Sequence, residues 1–187
     1  MGQGYIAIIL ADKRAPADAE QIRTWVDSHH YNNGYKLTEH SYLRNNYVWA
    51  VENLLCPQGQ YYKSRIVWAG DYADNEQECT TNLYHLAYSE LNTPKISNPK
   101  SKDMTDHRFI LNHSKGLFVD KNHQFIGFDG FHPLPLLTSE GNGRGGGDYK
   151  GTDMELIGTW ARDIISVDSK VPEGFKELVC EFTENRF

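Results

Sequence analysis

Between Thr138 and Asp153 the chain reads TSEGNGRGGGDYKGTD, a run in which backbone amides, a guanidinium and an ammonium crowd together. Successive glycine amides can form a nest that grips an anion. An arginine adds a planar fork suited to carboxylate or phosphate. Arg144, Gly145, Gly146, Gly147 and Lys150 are therefore the candidate ligand-binding residues. Just upstream, Asp129 and His132 lie with Pro133 and Pro135 on what reads as a rigid extended segment, which could line one wall of a cleft roofed by the loop. A histidine beside a carboxylate is a workable acid–base pair near neutral pH. His132 with Asp129 or Asp148 is the candidate catalytic set.

Context removes the two strongest phosphate readings. Gly141, Gly143 and Gly146 satisfy G-x-G-x-x-G, but that pattern needs a strand before it and a helix behind it. PLPLL precedes and DYKGTD follows, and Lys150-Gly151-Thr152 inverts the order of a P-loop. What remains is a looser anion nest, or a glycine-rich surface loop with solvated Asp148 and Asp153. So many glycines raise the entropy lost on folding, so an ordered loop requires something packed on it.

Other chemistries lack their contexts too. Ser139 in LTSEG misses the first glycine of a nucleophile elbow. Cys56 and Cys180 read as packing residues, and Cys79 lies among acids that would blunt a thiol. There is no H-E-x-x-H or C-x-x-C, and Asp71, Asp74, Glu76 and Glu78 do not follow the EF-hand order, so they read as a solvated acidic loop. No metal site and no cofactor is expected. Lys95, Lys100 and Lys102 have no interleaved aromatics, which argues against nucleic acid.

The elements that must position these residues alternate between helical and strand spacing. YIAIIL (5–10) reads as a central strand buried on both faces. Ala19, Ile22, Trp25 and Val26 fall on one helical face after Pro16, with Asp18 and Glu20 at its start. A second helix is expected from Ser41 to Leu55, a strand at Tyr61–Ala69 and a short helix at Thr81–Leu91. His107–Asp120 suggests a hairpin turning at Ser114-Lys115-Gly116, and Gln124–Phe128 could extend the sheet. Pro133 and Pro135 exclude a central strand over Phe131–Leu137. Strands are expected at Glu155–Trp160, Ile164–Val167 and Phe175–Phe182. Trp49, Trp68 and Trp160 share a Trp-Ala echo without a regular period; in the latter two, Asp71 or Asp163 would cap the following turn. The expected class is α+β: a mainly antiparallel sheet with two or three packed helices concentrated in the N-terminal half.

A chain of 187 residues suits one domain, with an exposed connector at about 92–106 and the glycine-rich loop at 138–153. The net charge of −6 argues against general electrostatic binding to nucleic acid or acidic membranes. Three separated cysteines suggest a reducing, cytoplasmic setting. The N-terminal apolar run is too short for a signal or a span, and Ile6 stands where a myristoylation start wants Ser or Thr. Eleven tyrosines favour contact surfaces. The expectation is a non-enzymatic binding or interaction domain with a protein partner. The alternative is an enzyme or sensor for a small phosphorylated or nucleotide-like anion held at the glycine-rich loop.

Overall fold

In the computed structural model, which describes residues 2–12, 22–77, 79–89, 96–125, 130–142 and 147–184, the first strand, β1 (Tyr5–Leu10), is buried along its whole length. It lies between β2 (Ile22–Val26) and β3 (Ser64–Gly70), antiparallel to both. The sheet continues through β7 (Ile164–Asp168), β4 (Phe109–Asn112), β5 (Leu117–Asp120) and β8 (Lys176–Glu177), in the order β2-β1-β3-β7-β4-β5-β8; β6 (Ser139–Glu140) pairs with β3 off this path. Only the β3–β6 and β5–β8 pairings are parallel. The fold is α+β, with a mixed, mostly antiparallel sheet of eight strands.

The period-two alternation of β1 decides the layers. Tyr5, Ala7 and Ile9 enter a core shared with α2 (Asn46–Leu55) and α4 (Pro133–Thr138). Ile6, Ile8 and Leu10 enter a smaller cluster with Trp25 and with Leu83 and Ala87 of α3 (Leu83–Ala87). The hairpin of β4 and β5 turns where expected, with Gly116 at φ +63°. Among the described residues no helix is long and apolar enough to cross a membrane.

Several sequence expectations are corrected. Ile22–Val26 is a strand, not part of a helix: IRTWV is β-branched and aromatic, and a register irregularity opposite Ile9 and Leu10 shifts the strict alternation that would have exposed it. The proposed start of that helix lies outside the described residues. The second helix begins at Asn46, because Asn45 caps it by accepting from the amides of Tyr47 (2.8 Å) and Val48 (3.4 Å). A short separate helix, α1 (Leu37–His40), precedes it, and α3 ends at Ala87.

The segment expected to be extended is helical instead: Phe131–Leu137 contains most of α4, whose Pro133 and Pro135 sit in the first turn, where an amide hydrogen has no helical partner to lose. Met154–Leu156 is a 3-10 turn rather than a strand, since positive φ at Asp153 (+51°), Gly158 (+71°) and Arg162 (+66°) breaks any extended run. Lys121–Phe125 is likewise a 3-10 turn, and the remainder of that expected extension lies outside the described residues. Of Phe175–Phe182 only Lys176–Glu177 pairs as a strand. The described part of the connector is laid over the body: Ser97 N donates to Trp25 O (2.9 Å), Tyr31 Oη to Pro99 O (2.6 Å), and Met104 is buried. It thereby covers part of the β2 edge.

Candidate binding site

A buried polar triad lies where α2, the end of β5 and the start of α4 meet. Glu52 is fully buried on α2, four residues after Val48 and three before Leu55, so it shares their core-facing side. Lys121, immediately after β5, donates from Nζ to Glu52 Oε1 (2.6 Å) and to Met104 O (3.3 Å). His132, the N-cap of α4, makes its second contact with the same carboxylate oxygen, Nε2 to Oε1 at 3.1 Å. Its Nδ1 accepts from Leu134 N (3.2 Å). Since Nδ1 is an acceptor, Nε2 holds the hydrogen and donates to Glu52.

Burial opposes the charge on Glu52, but Lys121 and His132 outweigh it and hold the carboxyl below its usual range. Burial lowers His132, and the Lys121 ammonium adds to that against the pull of Glu52, so the imidazole is neutral. Glu52 Oε2 is buried with no hydrogen-bond partner among the described residues.

Lys121 and His132 form the inner wall of a cavity completed by Leu43, Arg44, Trp49, Thr105 and Asn122. Its volume is about 20 Å³, room for on the order of one water molecule. The lining holds two cations and no carboxylate. Lys121 has three N–H donors, and two of them are used among the described residues. The enclosed volume has room for a single small acceptor group.

The residues expected from sequence to form a site divide among three places. His132 lines the socket, with Glu52 as its partner; Asp129 lies outside the described residues. Asp148 instead accepts from Thr38 Oγ1, and its Oδ1 is buried without a partner among the described residues. Both ring nitrogens of His132 are engaged by Glu52 and Leu134, so neither joins Asp148 in proton transfer. Arg144, Gly145 and Gly146 lie outside the described residues.

Gly147 has φ +59°, and a Cβ there would stand 2.9 Å from the Tyr5 ring. Gly141 meets Gln3 and the same tyrosine, at 2.6 and 2.7 Å. The tyrosine that packs on the described ends of the loop is the reason for glycine at both. Lys150 is exposed, and beyond it Gly151 bridges Glu184.

Two further readings change. Glu76 is buried and gripped, with Glu140, by Arg162 instead of standing in a solvated acidic loop; Glu78 lies outside the described residues. Asp71 accepts from Gly4 N (3.0 Å), and Asp163 from Asn112 Nδ2 (2.8 Å) and Lys115 Nζ (2.6 Å), so both tie separate segments together rather than capping the next turn. Cys56 and Cys180 are buried as expected, and burial first, then Asp153, pushes the Cys180 thiol up to about 12.

Sequence reasoning missed Glu52 and Lys121. A glutamate on the apolar side of an amphipathic helix was the one available signal. No family model, curated protein or solved structure matches the chain.

Proposed function

We propose that this protein is a non-enzymatic interaction domain whose socket seats one carboxylate of a protein partner. The observation behind this reading is the size and lining of the cavity: about 20 Å³, walled by Arg44, Lys121 and the Trp49 ring. Such a volume can admit one acceptor oxygen, such as that of a carboxylate at its mouth, and not a mononucleotide. Both cations of the lining, Arg44 and Lys121, can donate to an acceptor group, and the planar fork of a guanidinium suits a carboxylate. A binding role rather than proton transfer is supported by His132, whose nitrogens are both engaged inside the protein. The glycine-rich loop is the weaker seat for a phosphorylated ligand, because Gly141 and Gly147 face the Tyr5 ring.

The test is a titration of the protein with acetyl-Gly-Glu-Gly-amide, followed by NMR at the Trp49 indole, with the glutamine peptide as control. The glutamate peptide should bind saturably and at least tenfold more tightly than its amide counterpart, and Arg44→Gln should remove that preference. Equal binding of both peptides defeats the proposal. So does thermal stabilisation by AMP or inorganic phosphate that disappears in Arg144→Ala, a result that would favour the loop instead.

A further inference from the structure

On the α3 face of the sheet, away from the socket, aromatic rings and carboxylates converge from several segments. Trp25 of β2 meets Tyr88 (centroids 4.5 Å apart), and Tyr88 meets Tyr84 of α3 at 5.2 Å. Tyr35 stacks on His29 with planes 4° apart. Gly4 forms the floor between them: a Cβ there would lie 3.5 Å from Tyr84 Oη, 3.6 Å from Tyr35 Cβ and 3.7 Å from Asp71 Oδ2. These are ordinary contact distances, so Tyr84, Tyr35 and Asp71 gather around one glycine. Tyr35 and Tyr88 are each 39% exposed, so both residues reach solvent.

Two carboxylates lie beside the tyrosines. Asp27 is buried and accepts from Tyr88 Oη (3.0 Å) and His29 N (2.9 Å). Asp71 Oδ1 accepts from Gly4 N (3.0 Å), while Oδ2 also lies near this glycine. Among the described residues neither forms an ion pair with a lysine, arginine or histidine. The phenols of Tyr35, Tyr84 and Tyr88 are all raised, by burial first, with Asp27 adding to it in each and Asp71 in Tyr84 alone. Electron-rich rings beside carboxylates that form no ion pair among the described residues attract a cation twice, through the ring quadrupole and through direct charge.

We propose that Tyr35, Tyr84 and Tyr88, beside Asp27 and Asp71, form a docking site for a lysine side chain of a protein partner. Charge complementarity selects the occupant: the patch offers acceptors and π-faces, and a long apolar stem ending in an ammonium matches both. Tyrosine also supplies contact area at little conformational cost, as protein interfaces favour. The site is independent of the carboxylate socket and stands whether or not that reading holds.

The experiment titrates the protein, labelled on its tyrosine rings, with acetyl-Gly-Lys-Gly-amide and with the uncharged norleucine peptide. Saturable shifts at Tyr35, Tyr84 and Tyr88 are expected, with the norleucine peptide at least tenfold weaker. Tyr35→Ala, at an exposed position, should weaken the lysine peptide about tenfold; Asp71→Asn, which keeps shape and the Gly4 contact, should weaken it severalfold. Equal affinity for norleucine would make the patch merely apolar and overturn the proposal. An unchanged affinity in Tyr35→Ala, or no saturable shift in the unaltered protein, would overturn it too.

Discussion

His40 holds its imidazole between two fixed partners deep in the core. Its Nδ1 contacts Gly34 O at 3.0 Å, and Trp68 Nε1 donates to its Nε2 at 2.9 Å. Accepting from an indole leaves Nε2 without a hydrogen, so Nδ1 holds the proton and donates to the carbonyl. Burial is the main cause that lowers this histidine from 6.5 to about 4. The unfolded chain therefore binds a proton that the native state refuses between those values. The contribution to stability is complete above pH 6.5 and is lost as the pH falls toward 4. That loss is about 3 kcal/mol by pH 4 from this residue alone. Urea unfolding at pH 7 and pH 4.5 should show the midpoint fall, and His40→Gln should flatten the dependence. A midpoint unchanged across that interval would contradict the assignment. His40 was not legible in the sequence, because nothing local distinguishes it from the exposed His29 and His30.

At the scale of elements, local chemistry was readable where it acts alone. The continuous apolar run of β1, the Gly116 turn and the exclusion of a central strand by Pro133 and Pro135 each follow from local steric or donor properties, whereas the helix those prolines open was read as an extended segment. Ile22–Val26 was misread because helical spacing and a half-buried strand with an irregular register place apolar residues alike. The C-terminal segment depends on contacts no local pattern announces. Phe131 N donates to Phe182 O (2.8 Å), Thr152 N to Thr183 O (3.2 Å), and Glu181 N to Asp153 Oδ2 (2.7 Å). Gly151 lies against this segment, and a Cβ there would collide with the Thr183 carbonyl and stand 2.5 Å from Tyr149 Oη. Gly151→Ala should therefore destabilise by about 1–3 kcal/mol, the scale of overpacking. Hydrogen exchange should localise the effect to the amides of Thr152 and Thr183, and uniform loss of protection would refute the local origin.

Across the whole molecule, Arg162 joins parts far apart in sequence. It stands in the turn before β7 at φ +66°. Its Nη1 donates to Glu76 Oε2 (2.8 Å) and its Nε to Glu140 Oε2 (2.8 Å), with Nη2 bonding both carboxylates. One guanidinium thus ties the loop after β3 to β6 and β7. Glu76 is buried, so Arg162→Met strands a carboxylate and should reduce stability by about 2–3 kcal/mol. Adding Glu76→Gln should recover part of that loss, since removing both ends of a buried pair costs less than removing one. A double variant as unstable as the sum of the single ones would show the clamp to be unimportant.

By itself the sequence determined the class of fold, the central buried strand, the hairpin and the sterically forced turns, because steric limits and hydrophobic periodicity act within a few residues. The tertiary structure decided the pairing of charges. Glu52 meets Lys121 across a separation of 69 residues and His132 across 80. A carboxylate is stable in the core only once those partners are folded around it, and neither periodicity nor local spacing encodes which they are.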